Sequence, residues 1–337
     1  MDFPFALGPP VATALFRTEL EDFQVDEELG FPLLGEGEHL CLHVEKRGEN
    51  TRWVAQLLAE FFGVEEVAIG YCGLKDRRAV TRQWFSVHLP KGSAFDGLDN
   101  GAVLPEVAEY KVLSLNRHNK KLRRGVHQAN RFQIRLRQVA GEREAIEARL
   151  QKIAEQGVPN YFGEQRFGIN GSNLQQADKL LAEQYGVNRQ RGRRKSSSPK
   201  GGLYLSAARS YLFNLVLAER IRQGTWANPL IEEAAPAGPM WGRGRSCEPT
   251  AVRELEGRVL STWQDWTNAL EFSGLKQERR SLILNPNQLS WQWMSSENDC
   301  DSCPDLVLSF SLTSGGYATS VLRELSQLQT PWASVGI

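Results

Sequence analysis

Apolar and polar residues alternate in segments near both ends of the chain, whereas the middle has helical spacing, and this order constrains the fold most strongly. Alternation predicts half-buried strands at residues 39–45, 84–89, 130–137, 289–293 and 306–312. Apolar residues three and four apart predict helices at 51–62, 141–155, 172–181, 206–222 and 250–270. Strands, then mostly helices, then strands again predict an α+β fold, as expected if a helical domain is inserted into a sheet domain.

Capping residues predict the ends of three of these helices. Gly63 is expected to end the first helix, because glycine adopts the left-handed C-cap conformation easily. Ser172 and Gln175 have the spacing of a capping box. Ser206 is expected to cap the long helix that follows.

Composition excludes several classes of protein. The 337 residues include 40 Lys and Arg, 40 Asp and Glu, and 24% charged residues overall, which is typical of folded domains. No apolar run approaches the ~20 residues that span a bilayer, and the first residues lack the basic region of a signal peptide. We therefore expect a cytoplasmic protein without membrane contacts. We also expect a monomer, although none of these observations bears on the oligomeric state.

The five cysteines are too scattered for a disulfide framework in a chain of this length, so reduced thiols are expected. Cys300 and Cys303 have the CxxC spacing of zinc and redox sites. However, no second CxxC occurs and no histidine follows His127. A loop that joins two strands is therefore favoured for this pair.

Two basic runs contrast with the net charge of zero. Residues 117–137 include eight Lys or Arg and no acid, and residues 189–202 also lack acids. Basic runs are most often solvated faces, but the absence of a compensating acid favours a binding site for a polyanion. The second run also contains Ser, Pro and Gly and is expected to form a surface loop.

The segment GLKDRRAVT contains Asp76 between Lys75 and Arg77. Neighbouring cations favour the ionised carboxylate, which is the form needed in a nucleophile or general base. The alternative is a solvated turn, in which these residue types are common and Asp76 has no chemical role.

Two other segments have groups that suit RNA. In ANRFQIRLR, Asn130 can hydrogen-bond a base edge, Phe132 offers a stacking surface and the arginines can hold phosphates. A phenylalanine at strand spacing is, however, more often part of a core. In NYFGEQRFG, residues Asn160, Gln165 and Arg166 suit sugars and phosphates, although a turn that links two domains would need the same glycines.

Motifs for nucleotide cofactors are absent from the sequence. It contains no GxGxxG, GxxxxGK[ST], HExxH or GxSxG segment. The functions that remain are a reaction that needs no cofactor, or binding without a reaction.

The chain resembles the tRNA pseudouridine synthase D (TruD) family along nearly its whole length, in segments such as GLKDRRAVTRQWFSV, KLRRGVHQANRF, GVPNYFGEQRFGINGSNLQ and RRSLILNPNQLSWQW. The resemblance implies a mixed, mainly antiparallel sheet domain with flanking helices, as in other pseudouridine synthases. That catalytic domain would comprise residues 1–156 plus 288–337. An inserted, mainly helical TRUD domain would comprise residues 157–287.

The resemblance also implies an activity: isomerisation of uridine to pseudouridine in tRNA, expected at position 13 in the D-stem region, without cofactor or metal. Asp76 would be the catalytic carboxylate, a buried acid, with Lys75 beside it. Asn130 would be an active-site residue and Phe132 would pack on the target base. Arg17 would anchor Asp76 or a phosphate.

The expected contacts with tRNA come from ten residues: Arg77, Lys120, Lys121, Arg123, Arg124, Asn160, Gln165, Arg166, Arg193 and Arg194. The alternative function is a tRNA-binding or chaperone protein with the same fold and no turnover. A cofactor-dependent RNA methyltransferase is disfavoured by the lack of a glycine-rich cofactor loop.

Overall fold

A computed structural model of the chain describes residues 2–95, 97–98, 104, 107–185, 200–244, 246–295 and 303–331. These residues form two compact units. The sheet unit comprises Val11–Ala148, Pro286–Gly316 and Ser326–Ile337, and the helical unit comprises Met1–Pro10, Arg149–Asn285 and Tyr317–Leu325.

The described residues form fourteen strands: β1 (Ala12–Phe16), β2 (Phe23–Glu28), β3 (His39–Arg47), β4 (Ile69–Tyr71), β5 (Val80–His88), β6 (Tyr110–His118), β7 (Ala129–Ala140), β8 (Val158–Pro159), β9 (Ala237–Met240), β10 (Glu278–Ser281), β11 (Ile283–Leu284), β12 (Asn287–Met294), β13 (Asp305–Thr313) and β14 (Ser326–Gln329). The five predicted strands are confirmed as β3, β5, β7, β12 and β13.

The same residues form seven α-helices: α1 (Thr51–Phe62), α2 (Arg143–Gln156), α3 (Ser172–Leu180), α4 (Gly201–Arg222), α5 (Thr250–Val259), α6 (Gln264–Glu271) and α7 (Ala318–Leu325). Among the described residues, none of these helices combines the length and the apolar character needed to cross a membrane.

The sheet unit is built on one ten-stranded sheet. Seven strands follow the order β12-β13-β7-β2-β5-β3-β6, while β1 pairs with β7 and β14, and β4 pairs with β5. The pairs β2–β5 and β1–β14 are parallel, and the other pairs in the described chain are antiparallel. The predicted α+β class with a mixed, mainly antiparallel sheet is therefore confirmed.

Helix α1 covers one face of this sheet because its apolar residues fall on one side. Val54 and Leu58 are fully buried against Leu42 and Phe85 of β3 and β5. Each such buried side chain contributes about 1.5–3 kcal/mol. Gly63 ends the helix as predicted, with φ 64° in the left-handed region.

The helical unit is centred on α4, which is buried on more than one side. Leu212 and Val216 pack with Leu255 of α5 and Leu270 of α6. Phe213 belongs to a second cluster with the segment that follows β8. Two short ribbons, β8–β11 and β9–β10, complete this unit.

Two helix predictions are wrong, and one helix was not predicted. The helix predicted from Ser206 begins at Gly201, because Leu205 is 8% exposed and its burial favours an earlier start than glycine propensity would allow. Gly171 is the N-cap of α3, and no side-chain capping bond forms there, so the capping box is absent. Helix α7 was not predicted, because the alternation pattern near the C-terminal end indicated only the strands at 289–293 and 306–312.

The predicted domain limits, 1–156 plus 288–337 and 157–287, stay a prediction. The compact units divide the chain differently, since residues 2–10 and 317–325 lie in the helical unit.

Candidate active site

The GLKDRRAVT segment forms an irregular loop between β4 and β5, as predicted. Side chains from neighbouring elements hold its backbone. The Thr51 hydroxyl, at the start of α1, accepts the Lys75 N–H at 2.9 Å, and the Lys46 ammonium donates to the Asp76 carbonyl oxygen at 2.8 Å. The backbone on either side of the Asp76 Cα is therefore fixed by the scaffold.

Polar residues take inward positions at the ends of the strands beneath this loop. Glu27 in β2, Lys46 in β3 and Asn130 in β7 continue faces that are otherwise apolar. Glu27 lies opposite Asn130, and Lys46 lies opposite Thr81 of β5. All four residues are buried, so the sheet supplies a row of buried polar groups to the site.

Asp76 and Arg17 form an ion pair, with Arg17 Nη1 2.7 Å from Asp76 Oδ2. The other carboxylate oxygen accepts the Arg78 N–H at 3.0 Å. The expectation of a buried acid is wrong, because the Asp76 side chain is 28% exposed and the loop covers only part of it. The acid is both oriented and accessible.

Arg17 follows β1 directly and has φ 61°, in the left-handed region that non-glycine residues rarely adopt. Its guanidinium carbon lies 4.2 Å from the ring centroid of Phe23. Burial lowers the pKa of Arg17, and the Asp76 carboxylate opposes this shift. Backbone strain at a residue that contacts Asp76 indicates a functional constraint.

Lys75 pairs with Glu27 rather than with the Asp76 carboxylate. The two side chains are 7% and 0% exposed, and Glu27 also accepts the Trp84 N–H at 3.1 Å. A buried carboxylate requires such partners, because burial of an unpaired charge is costly. The cation that pairs with the Asp76 carboxylate among the described residues is therefore Arg17.

Asn130 contacts His127 through Nδ2 and Nε2, which are 3.2 Å apart. Burial lowers the pKa of His127, so its neutral imidazole can accept this bond near neutral pH. Asn130 Oδ1 is buried and has no hydrogen-bond partner among the described residues. That oxygen can accept a hydrogen bond from a ligand.

Phe132 lies in an aromatic cluster in the sheet unit. It stacks on Phe310 with centroids 5.5 Å apart, and the Phe23 ring is 6.0 Å away. Phe132 is 7% exposed, so most of its surface packs against protein. Phe132 is therefore part of the core, which was one of the two interpretations of its sequence position. It also lies beside Phe23, the ring that contacts Arg17.

The basic residues of the sheet unit divide into exposed and paired groups. Lys120, Arg123 and Arg124 are exposed, and the Arg124 guanidinium lies 5.7 Å from the Tyr71 ring centroid. Lys121 donates to the Val67 carbonyl, and Arg77 Nε donates to the Gly48 carbonyl at 3.1 Å.

The arginines of β7 bind carboxylates instead, in the pairs Arg131–Glu28, Arg135–Asp305 and Arg137–Asp22. The interpretation of this face as free for phosphates is wrong. The acids that pair with these arginines lie on other strands or turns. The basic run at residues 117–137 therefore did not reveal them.

The NYFGEQRFG segment lies in the helical unit. Gln165 is exposed, whereas Asn160 is 7% exposed, accepts from Arg280 at 2.5 Å and donates to the Ser281 carbonyl at 2.9 Å. Arg166 is half-buried over the Phe162 ring. Arg193, Arg194 and Cys300 lie outside the described residues, and their predicted roles stay predictions.

One group in the described chain has potential metal ligands close together: Glu27, Cys72 and His127, whose ligand atoms lie within 4.8 Å of one another. Burial raises the pKa of the Cys72 thiol, which keeps it protonated near neutral pH. Lys75 already balances the charge of Glu27. This chemistry fits a buried hydrogen-bonding network better than a metal site.

Sequence reasoning missed Phe23, Glu27, Lys46 and His127. The sequence pattern could have revealed two of them, because Glu27 and Lys46 occupy inward positions of strands whose other inward residues are apolar. Nothing in the local pattern indicated that Phe23 would lie beneath Arg17.

Comparison with known proteins gives a consistent result. Residues 5–185 match the family model for tRNA pseudouridine synthase D (TruD). A relative from Cellvibrio japonicus is 48% identical over 97% of this chain and 94% of its own length, and one from Marinobacter nauticus is 41% identical over 98% and 95%; both are named tRNA pseudouridine synthase D.

A crystal structure from Methanosarcina mazei with the same family name has a similar fold. Its TM-score is 0.69 at 19% identity, with 95% of each chain covered. From the family model and the sequence relatives, the chain belongs to the tRNA pseudouridine synthase D (TruD) family.

Proposed function

We propose that this chain isomerises uridine to pseudouridine in tRNA and that Asp76 is its catalytic carboxylate. Family membership supports the reaction and the class of RNA. The observation that carries the choice of Asp76 is its 2.7 Å ion pair with Arg17, in a loop whose backbone Lys46 and Thr51 hold. Fixed charges around a reacting group stabilise developing charge without reorganisation.

The reaction breaks the N1–C1′ bond of uridine and forms a C5–C1′ bond. C5 loses its proton to solvent and N1 gains one, so the atoms balance without a co-reactant. The uridine first leaves its stack to become accessible. Asp76 then promotes cleavage, either by attacking C1′ or by removing a sugar proton.

Asn130 and Phe132 are proposed to hold the uracil during this step. The free Asn130 Oδ1 can accept the N3–H of the base. Phe132 and Phe23 offer apolar surface to the ring. Arg17 orients the carboxylate through their ion pair.

Replacement of Asp76 tests this proposal. tRNA labelled with tritium at uridine C5 should release its label with the wild-type protein in the absence of any methyl donor. Asp76→Asn should abolish release but keep tRNA affinity, and the exposed Asp265→Asn of α6 is the matched control. Turnover by Asp76→Asn would refute the role of Asp76. Binding without release by the wild type would favour the non-catalytic tRNA-binding alternative.

Position 13 of the D-stem region is the proposed target. Replacing uridine 13 with cytidine should abolish label release, and continued release would show another target. Deuterium at C2′ separates the two roles of Asp76, since proton removal there predicts a primary isotope effect and attack on C1′ does not.

A further inference from the structure

Two arginines of the helical unit lie against one aromatic ring. The guanidinium carbon of Arg280 is 4.2 Å from the ring centroid of Phe162, and that of Arg166 is 5.3 Å away. Phe162 is 5% exposed and packs edge-on against Phe213 of α4. A buried ring therefore holds two positive charges near each other.

The charge of Arg166 is not balanced by a carboxylate within the described residues, and its Nε is buried there without a hydrogen-bond partner. Other arginines of this unit differ. Arg220 pairs with Glu233 and Arg279 pairs with Glu256. Burial, with a further contribution from Arg166, lowers the pKa of Arg280 to about 10.

Both side chains are attached to fixed backbone. Arg280 donates to Asn160 Oδ1 at 2.5 Å, and Asn160 Nδ2 donates in turn to the Ser281 carbonyl at 2.9 Å. The Arg166 carbonyl accepts from Asn173 at 3.1 Å, and the adjacent Phe167 is 1% exposed. A hydrogen bond thus holds the Arg280 guanidinium, and a fixed backbone together with the Phe162 ring positions Arg166.

We propose that Arg166 and Arg280 bind a phosphate group, and that in the substrate complex this is a phosphate of the RNA backbone. An anion between two guanidinium groups relieves their repulsion, and planar guanidinium forks match phosphate oxygens. The second half of the proposal rests on the proposed function, whereas the first half does not.

Arg166→Gln tests the RNA contact, because it removes the charge and keeps a polar side chain. We expect about tenfold weaker tRNA binding at low salt, and a plot of log affinity against log salt that is shallower by about 0.7–0.9. The control is Arg258→Gln, an exposed arginine of α5 in the same unit. Equal slopes for the two variants would overturn the RNA contact.

Inorganic phosphate tests the site without tRNA. At constant ionic strength, phosphate in place of chloride should raise the Tm of the wild type and of Arg258→Gln, and should raise that of Arg166→Gln less. Arg280→Lys, which keeps the charge but loses the fork, should also show a smaller rise. An undiminished rise in Arg166→Gln would overturn the phosphate site. Absence of tritium release by the wild type would count against the proposed function alone.

Discussion

Lys46 shows what one buried charge contributes to the site. Its side chain is fully buried, and its ammonium donates to the Asp76 carbonyl. Burial lowers its pKa from 10.5 to about 8; Lys75 adds to the shift, while Asp76 and Glu49 oppose it. The contact that fixes the backbone of the acid is therefore made at a cost in folding free energy.

This cost predicts how stability depends on pH. Below pH 8 Lys46 is charged in both states, so the folded protein bears the whole desolvation penalty. Between about pH 8 and 10.5 the unfolded chain binds more protons, so the free energy of unfolding should rise, by about 1.4 kcal/mol per pH unit. Urea unfolding should show this rise in the wild type relative to Lys46→Met. A constant difference between the two proteins would contradict the lowered pKa.

At the scale of elements, local sequence patterns predicted the positions of strands better than they predicted which residues pair across strands. Alternation identified β3, β7 and β13, because each has one buried face. It did not identify Asp22 and Asp305 as partners of Arg137 and Arg135, since strand pairing joins distant parts of the chain. The loop of Asp76 was predicted from its composition, but its support by Lys46 depends on the β3–β5 register.

Helix α4 allows a test of a buried ion pair. Arg220 and Glu233 are each 1% exposed, with Arg220 Nη2 3.0 Å from Glu233 Oε2. Arg220→Met should lower the free energy of unfolding by about 3–5 kcal/mol, because Glu233 is left buried without its cation. In the same helix, Arg222→Met breaks an exposed pair with Glu219 and should cost only about 0–1 kcal/mol.

Urea denaturation measures both changes. A similar loss in the two variants would show that burial does not set the energy of the Arg220–Glu233 pair. Adding Glu233→Gln to Arg220→Met should restore part of the lost stability, because the unpaired charge is then removed.

For the whole molecule, a net charge of zero conceals an uneven distribution. Many arginines of the sheet unit bind carboxylates, as in β7, whereas Arg123 and Arg124 form no ion pair in the part of the chain that the structure describes. A neutral protein can therefore still present local positive charge to a polyanion.

This distribution predicts how tRNA affinity depends on salt. Replacing Arg123 and Arg124 with Gln should weaken binding and lower the salt slope by about 1.4–1.8, since two phosphate contacts are lost. The exposed pair Arg253 and Arg258 of α5 gives a control with the same change in charge. Filter binding over a range of salt concentrations measures both, and an unchanged slope would show that RNA does not contact Arg123 and Arg124.

The parallel pairing of β1 with β14, which aligns Ala12 with Ser326, has a consequence for biosynthesis. A ribosome makes β1 and β7 before it makes β13 and β14, which complete the pairing of β7 and β1. A nascent chain therefore already contains Asp76 when β1, the strand that precedes Arg17, still lacks its neighbour β14. We expect newly made protein to gain its working centre only after the ribosome has synthesised β14.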